Sequence, residues 1–291
     1  MSNKQLTILV TGSNGQLGSE LQVIAPLYVG FKFLFVAREE LPIDNEDAVK
    51  KYFATHAIDY CINCAAYTAV DKAESEEENT FSINATAVAN LAKTCEENKT
   101  QLIHVSTDYV FDGTANKPYK ETDRTNPVSV YGQSKMQGEE LAQKNDPSTI
   151  IIRTSWLYSS FKNNFVKTML RLMKEKESIN VVNDQFGCPT YAADLAAAIM
   201  QIIVSGKSLE NPGIYHYTNA GITNWYEFAL AIKKLTGSNC NVNPITTAEY
   251  PTQAKRPAYS VLDTTKITST FGLAIPAWEE SLKRCLLLIK S

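Results

Sequence analysis

The order of apolar and amphipathic segments in the first half of the chain narrows the folds open to it. Apolar runs of strand length alternate with stretches whose apolar residues recur at helical spacing. Strands separated by helices require parallel pairing with right-handed crossovers, so the pattern predicts a doubly wound parallel sheet of the α/β class. The strands are predicted at residues 6–10, 31–36, 60–64, 101–105 and 149–153, and the helices at 16–25, 45–54, 77–97 and 129–143.

Beyond Trp156 the regular alternation is lost. Helices are predicted at 163–174, 192–204 and 225–235, with short strands at 179–182 and 214–217, and prolines interrupt the last fifth of the chain. We therefore expect residues 1–155 to form one domain, which segments near 192–217 rejoin. Residues 156–291 are expected to form mainly a smaller α/β lobe over the carboxyl ends of the strands.

Composition excludes several classes of function. The 291 residues carry 28 basic and 31 acidic side chains, a net charge of −3, which argues against nucleic acid as a partner. No apolar run approaches the ~20 residues that span a bilayer, so no membrane partner is expected. Met1 and the residues after it lead directly into the first strand, with no secretory leader, and we expect a cytoplasmic protein.

The cysteines and histidines predict no metal site. Cys61 and Cys64 have the spacing of redox and zinc motifs, but they fall in a predicted buried strand, where cysteine is a small core residue. The histidines, His56, His104 and His216, are too scattered for zinc ligands.

The first chemical motif is Thr11-Gly-Ser-Asn-Gly-Gln-Leu-Gly18. Its glycines Gly12, Gly15 and Gly18 follow the first strand and open a helix, the context in which a glycine-rich turn holds the pyrophosphate of a dinucleotide. A purely structural glycine turn is the alternative. The position predicts a Rossmann cofactor site.

The second motif is Tyr131-Gly-Gln-Ser-Lys135, which places both side chains on one face of a helix. A nearby ammonium stabilises phenolate, so we expect Lys135 to lower the pKa of Tyr131 for proton exchange with a substrate oxygen. The spacing alone identifies nothing, because Tyr28/Lys32 and Tyr158/Lys162 share it. Only the pair at 131 and 135 opens a long helix downstream of a candidate hydroxyl partner.

That partner is Thr107, in the segment leaving the fourth strand at the edge where open parallel sheets bind ligands. The Thr107 hydroxyl is positioned to bond both the tyrosine and a substrate oxygen. An ordinary Ser-Thr turn is the alternative interpretation.

Together, six blocks carry a family resemblance. The chain resembles the extended short-chain dehydrogenase/reductases over nearly its whole length, and within them the dTDP-4-dehydrorhamnose reductase family. The first and fourth blocks are shared with sugar-nucleotide epimerases, whereas the second and third are more particular. In chain order the blocks are Thr11-Gly-Ser-Asn-Gly-Gln-Leu-Gly18, Asn63-Cys-Ala-Ala-Tyr-Thr-Ala-Val-Asp-Lys-Ala-Glu74, Ser106-Thr-Asp-Tyr-Val-Phe111, Tyr131-Gly-Gln-Ser-Lys135, Arg153-Thr-Ser-Trp156 and Asn183-Asp-Gln-Phe-Gly-Cys-Pro-Thr190.

The resemblance implies NADPH-dependent reduction of the 4-keto group of dTDP-4-dehydro-L-rhamnose to dTDP-L-rhamnose. It implies that Tyr131 protonates the developing alkoxide, with Lys135 and Thr107 as the other catalytic residues. It places residues 1–155 around NADP(H) and the later lobe around the sugar. Implied cofactor residues are Gly12, Gly15, Gln16, Leu17, Gly18, Ala66, Tyr67, Thr68, Tyr131 and Lys135; implied substrate residues are Val70, Asp71, Thr107, Asp108, Trp156 and Arg256.

Two of those substrate residues have plain structural alternatives. Trp156 offers an aromatic wall for a sugar, but a core indole between lobes would look the same in sequence. Arg256 is a candidate for the diphosphate, but it equally suits a solvated basic pair.

Cofactor choice depends on Arg38. A site for NAD usually places an acid about 20 residues beyond the glycines, whereas Arg38 lies nearest that place here and suits a 2′-phosphate. We predict NADPH, with NADH as the alternative. Some family members bind Mg²⁺ through three glutamates at a dimer interface; Glu20 matches one, but Ala193 and Leu288 align with the others. Mg²⁺ is therefore doubtful, and the chain is expected as a monomer or homodimer.

Three rival functions remain open at this point. Another NDP-4-keto-6-deoxysugar reductase or an epimerase would use the same core residues. A non-catalytic cofactor-binding regulatory subunit, like that of methionine adenosyltransferase, would not need an intact Thr107, Tyr131 and Lys135.

Overall fold

The computed structural model describes residues 5–290. The expectation that no leader precedes the first strand rests on residues 1–4 and lies outside the described residues. Among the described residues no helix combines the length and the apolar character needed to cross a membrane.

The strands are mostly short. In chain order they are β1 (Leu6–Thr11), β2 (Phe31–Val36), β3 (Tyr60–Asn63), β4 (Gln101–Thr107), β5 (Ile150–Thr154), β6 (Leu157–Tyr158), β7 (Ser178–Val182), β8 (Phe186–Gly187), β9 (Thr190–Tyr191), β10 (Gly213–His216), β11 (Thr223–Asn224) and β12 (Asn241–Ile245).

The helices connect these strands. They are α1 (Gln16–Ile24), α2 (Glu46–Thr55), α3 (Val70–Ala73), α4 (Glu77–Phe81), α5 (Ala87–Glu97), α6 (Val130–Asn145), α7 (Phe165–Glu175), α8 (Ala192–Val204), α9 (Trp225–Thr236), α10 (Thr265–Phe271) and α11 (Trp278–Lys290). Asn45 caps α2 by accepting from the Ala48 N–H.

A six-stranded sheet in the order β10-β5-β4-β3-β1-β2 forms the centre of the molecule, and each neighbouring pair is parallel. From β1 the chain adds β2 on one side, and it then adds β3, β4, β5 and β10 on the other side. The order of the strands therefore reverses between β1 and β3, and doubly wound sheets bind ligands at such a point. The predicted α/β class is confirmed.

Helices cover both faces of this sheet. On one face α1 and α8 bury Leu17, Leu195 and Ile199 against strand residues such as Ile8 and Ile152. On the other face α2 and α5 bury their apolar sides, Val49 and Leu91 among them, against Leu9, Cys61 and Leu102. The rigid sheet therefore presents its carboxyl ends at one edge.

The second half of the chain contributes to two cores. Segment 192–216 supplies α8 and β10, which pack onto or extend the central sheet. The parallel pair β7–β12 and helices α7, α9 and α11 enclose a separate core around Phe228, Met169 and Leu282. β12 and α11 were not predicted.

The long helix predicted at 77–97 is wrong in its middle. A π-helical turn at Ser82–Thr86 separates α4 from α5. At this turn the backbone carbonyl oxygen of Asn84 closely approaches Gly138 of α6. A Cβ added to Gly138 would lie only 2.1 Å from that oxygen. Because that contact is tertiary, helical spacing along the sequence could not reveal it.

Candidate active site

The carboxyl ends of β1, β3, β4 and β5 surround a cavity of about 600 Å³. Loops that follow each strand supply its walls, so residues far apart in sequence meet there. Predicted site residues on its wall are Gly15, Gln16, Leu17, Ala66, Thr68, Val70, Thr107, Asp108, Tyr131, Lys135 and Trp156.

The glycine turn approaches the backbone after β3 closely. Gly12 has φ +63°, and a Cβ on it would lie 2.7 Å from the Ala65 nitrogen. At Gly18 a Cβ would lie 2.6 Å from the Gly12 carbonyl oxygen. Gly15 occupies the N-cap of α1 and has no side chain to cap the helix, so the first amides of α1 face the turn. This shape fits a pyrophosphate at a helix N-terminus.

A second cavity of about 300 Å³ continues from the glycine turn past the end of β2. Gly12, Ala66 and Tyr67 line it, and so does Arg38. The Arg38 guanidinium is largely exposed and donates to Asp44 at 2.9 Å. The dimensions and the exposed arginine fit the adenosine half of a dinucleotide with a 2′-phosphate.

Asn84, which the sequence did not reveal, holds the segment between these cavities. Its Oδ1 accepts from the Tyr67 N–H at 2.8 Å, and its Nδ2 donates to the Tyr67 carbonyl at 3.0 Å. The same Nδ2 donates to Ser134 of α6 at 3.1 Å. Residues 66–68 are therefore fixed relative to the helix that carries Tyr131.

The Tyr131 side chain lies in the 600 Å³ cavity, in hydrogen-bond contact with the Thr107 hydroxyl. Thr107 in turn donates to Asp108 Oδ1 at 3.0 Å and accepts from the Tyr109 N–H at 3.2 Å. Ser129 caps α6 by accepting from the Gly132 N–H, which starts the helix just before Tyr131. Thr107, Tyr131 and Lys135 thus all line the same cavity.

The expectation that Lys135 lowers the pKa of Tyr131 is wrong. Burial raises the pKa of Tyr131 well above its usual range, and the Thr107 hydrogen bond offsets only part of this effect. Lys135 is directed elsewhere, because its Nζ donates to the Val105 carbonyl at 2.8 Å and lies 3.1 Å from His104 Nε2. Burial also lowers the pKa of Lys135 to about 8.

An aromatic ring, that of Trp156, also lines the 600 Å³ cavity. Trp156 has φ +50°, an uncommon backbone conformation for a bulky residue that often marks a functional position. Its indole stacks on that of Trp225, with ring centroids 3.6 Å apart. Trp225 lines a further cavity of about 820 Å³ between α7, β7 and residues 245–256. The stacked pair therefore separates two adjoining cavities, and Trp225 was missed in sequence.

Arg256 connects segments that are distant in the sequence, near the boundary of these cavities. Its guanidinium donates to Asp71 at 2.8 Å and to the Tyr109 hydroxyl at 2.9 Å, and Asp71 also accepts from the Ala254 N–H at 3.2 Å. Arg256 lines the 820 Å³ cavity, whereas Val70 lines the smaller one. Asp71 is thus engaged by an arginine and lies on the wall of neither cavity.

The other two Tyr-x-x-x-Lys pairs, Tyr28/Lys32 and Tyr158/Lys162, lie in different surroundings. Tyr158 is buried in the second core and stacks on Tyr191, whereas Lys162 lines the 600 Å³ cavity, which the sequence did not predict. Tyr28 is partly buried and packs against the sheet core, away from these cavities.

Glu20, the one glutamate that matches the family's Mg²⁺ ligands, is buried and accepts from the Ser159 hydroxyl at 2.6 Å. Within residues 5–290 no group of three His, Cys, Asp or Glu residues is arranged to hold a metal ion.

The RmlD substrate binding domain family matches residues 6–290. The chain belongs to this family. It is 44% identical over 285 residues to the dTDP-4-dehydrorhamnose reductase of Aggregatibacter actinomycetemcomitans, covering 95% of this chain and 97% of that one. The family resemblance carried by the six sequence blocks is confirmed.

Solved structures of other family members superpose closely. The dTDP-4-dehydrorhamnose reductase of Clostridium acetobutylicum has a TM-score of 0.93 at 41% identity, covering 98% of this chain and all 100% of that chain. The dTDP-4-dehydrorhamnose reductase of Bacillus anthracis, solved in complex with NADP, has a TM-score of 0.93 at 38% identity, covering 97% and 99%.

Proposed function

We propose that this protein reduces the 4-keto group of dTDP-4-dehydro-L-rhamnose with NADPH, forming dTDP-L-rhamnose. The observation that carries the proposal is the meeting of Thr107, Tyr131 and Lys135 with the glycine turn in one cavity. Full-length similarity to named dTDP-4-dehydrorhamnose reductases supports the choice of substrate.

The glycine turn, the 300 Å³ cavity and the 66–68 segment would hold NADPH. Gly12, Gly15, Gln16, Leu17 and Gly18 form the pyrophosphate turn. Arg38 lies near the 2′-phosphate, Tyr67 along the adenosine half, and Ala66 and Thr68 along the nicotinamide half. When bound, NADPH supplies the hydride that adds to the carbonyl carbon. The residues 1–155 and 192–217 would form this cofactor domain, and the rest of 156–291 the substrate lobe.

Tyr131 donates the proton that the carbonyl oxygen needs as it becomes an alkoxide. A reductase requires the neutral phenol, and burial keeps Tyr131 in that form by raising its pKa. Thr107 orients the phenol and shares the substrate oxygen. Asp108, whose pKa burial raises to about 6, lies beside them on the same wall and would contact the sugar.

Each of the two adjoining cavities would hold one part of the sugar nucleotide. The sugar lies against Trp156 and Val70, close to Tyr131, and the nucleoside extends into the 820 Å³ cavity beyond Trp225. Arg256 lies at the boundary, where it would meet the diphosphate in place of its present partner Asp71.

We place this reaction in the cytoplasm and leave a monomer or homodimer as the assembly. All six cysteines are free thiols, as suits a reducing compartment.

The test is turnover of purified protein with dTDP-4-dehydro-L-rhamnose, followed by loss of the absorbance of reduced nicotinamide. We expect Tyr131→Phe to lower kcat by about 10²–10⁴-fold because the proton donor is lost. Tyr158→Phe is the matched control: it belongs to the rival Tyr-x-x-x-Lys pair, and its buried hydroxyl has no hydrogen-bond partner among the described residues, so kcat should not change.

Full activity in Tyr131→Phe would rule out the assigned acid. NADPH binding without oxidation would favour the regulatory-subunit alternative. Interconversion of sugars without net loss of NADPH would favour an epimerase.

A further inference from the structure

A row of buried polar side chains crosses the central sheet beneath the candidate active site. Thr11, Asn63 and His104 are in-register neighbours on β1, β3 and β4, and all three are fully buried. They lie outside the linings of the three cavities described above, so they do not hold ligand directly. Buried polar groups are costly unless they are bonded, and this row ends on Lys135.

The hydrogen bonds fix which way Asn63 faces. Asn63 Oδ1 accepts from the Thr11 hydroxyl at 2.6 Å and from the Ala65 N–H at 3.2 Å. A backbone N–H can only donate, so the side-chain oxygen must lie on that side. The amide nitrogen of Asn63 is then 3.0 Å from His104 Nδ1, to which it donates.

The orientation of Asn63 selects the tautomer of His104. Burial and the neighbouring Lys135 keep the imidazole neutral, because they lower its pKa well below the usual range. A neutral imidazole carries one proton, and Nδ1 is occupied as an acceptor. The proton is therefore on Nε2, which lies 3.1 Å from Lys135 Nζ.

An ammonium group has no lone pair, so an N–H aimed at it opposes the charged lysine and favours the amine. We propose that Asn63 and His104 are positioning residues that favour loss of the third proton of Lys135 and so set the pH above which this buried ammonium becomes a neutral amine. This role rests on the proposed reduction and adds to it.

The proton balance is simple. Tyr131 gives its hydroxyl proton to the substrate oxygen and becomes phenolate. Solvent reprotonates the Tyr131 phenolate after product leaves. Separately, as the pH rises, Lys135 releases one ammonium proton to solvent and becomes an amine, whose new lone pair accepts the His104 Nε2–H.

The other charged groups around Lys135 do not reverse this effect. Glu139, one turn along α6, forms a buried ion pair with Arg153 of β5 at 2.6 Å, so its charge is compensated. Burial raises the pKa of Cys64 and of Tyr109, which keeps both neutral. Asp108 has its own hydrogen bond to Thr107.

The direct test is ¹⁵N NMR of protein labelled at histidine. The chain has only three histidines, so His104 can be assigned by its loss in His104→Gln. We expect a neutral ring with the proton on Nε2 between about pH 6 and 8, the range of an ordinary histidine titration. A ring protonated on Nδ1, or one that ionises in this range, would overturn the proposal.

The functional test is the pH profile of kcat. In Asn63→Asp the carboxylate draws the proton to Nδ1, and Nε2 becomes an acceptor for the ammonium. In His104→Gln the side-chain amide oxygen can likewise accept a hydrogen bond from the Lys135 ammonium. Because Lys135 then keeps its third proton to a higher pH, both variants should move the basic limb of the profile upward by about one pH unit, with a nearly unchanged KM for NADPH.

His216→Gln is the matched control, because His216 is equally buried in the same sheet but bonds to the Tyr119 carbonyl instead. His216→Gln should lower the free energy of unfolding without shifting the basic limb of the kcat profile. A shift in Asn63→Asp alone would be an effect of the added charge and would count against the proposal, as would a shift in His216→Gln.

Failure of this inference and failure of the proposed function are separable. The tautomer is measured without substrate. An Nε2–H ring in a protein that does not turn over would refute the function only, and an Nδ1–H ring in an active enzyme would refute the inference only.

Discussion

The cofactor side and the sugar side of the cleft are built from different kinds of contact. On the cofactor side, backbone meets backbone: Gly12 lies so near the Ala65 nitrogen that a single methyl group would not fit. On the sugar side, side chains from distant segments meet, as Arg256 does with Asp71 and Tyr109. The backbone contacts give the cofactor site a fixed shape. The side-chain contacts can break, so that a ligand replaces one of the two partners.

Both sides nevertheless place an arginine on a carboxylate where a phosphate is expected. Arg38 is 2.9 Å from Asp44, and Arg256 is 2.8 Å from Asp71. The Arg38 side chain is 66% exposed and that of Arg256 is 27% exposed, whereas their carboxylate partners are 24% and 43% exposed. Water and salt screen the Arg38 guanidinium more, and Arg256 has a further hydrogen bond to the Tyr109 hydroxyl. A phosphate therefore competes with a stronger ion pair on the sugar side.

The largest effect should come from breaking the backbone contact. Gly12→Ala adds a left-handed strain of about 1–2 kcal/mol and an overpacking cost of about 1–3 kcal/mol to the folded state. We expect the free energy of unfolding in urea to fall by their sum, and NADPH binding to weaken.

Gly237→Ala is the matched control for this substitution. Gly237 has φ +68°, and a Cβ added to it would meet no heavy atom of the described residues within 4 Å, so only the strain applies. Equal losses of stability in the two variants would refute the close-approach argument.

A smaller effect should follow from releasing Arg256. Asp71→Asn removes the competing charge, so we expect the Kd of dTDP, measured by calorimetry, to fall by about 3–10-fold, the equivalent of roughly 1 kcal/mol. The Kd of NADPH should not change. Weaker binding of dTDP in this variant would show that Asp71 supports the diphosphate site instead of competing with it.

The smallest effect is expected at Arg38. Because the side chain is exposed, Arg38→Ala should lower the preference of kcat/KM for NADPH over NADH by only about 2–3-fold. Equal efficiencies with the two cofactors, both before and after the substitution, would remove Arg38 from cofactor selection.

Local sequence predicted the cofactor half well for a physical reason. Strands, helices and the glycine turn of this half follow one another along the chain, and their patterns are set by neighbours three or four residues away. The cap at Asn45 and the start of α6 near Ser129 were predictable in the same way. The π turn at Ser82–Thr86 was not, because it depends on the approach of α6.

Contacts between distant segments account for what was missed. β12 contains Pro244, which usually argues against a strand, yet it forms a two-stranded sheet with β7 and so needs no full set of hydrogen bonds. His104 looked isolated because its neighbours, Asn63 and Lys135, are brought to it by strand register and by α6. The spacing of Tyr131 and Lys135 gave their shared face but not the burial that governs their pKa values.

The place of β10 at the rim of the central sheet has a consequence for biosynthesis. This strand is the last of the six to leave the ribosome, and until residue 216 emerges the buried strand β5 has no neighbour on one side. A nascent chain that already holds the whole glycine turn and the tyrosine helix thus still exposes an unpaired apolar edge. The interval of synthesis between residues 154 and 213 is when a chaperone would be most useful to this protein.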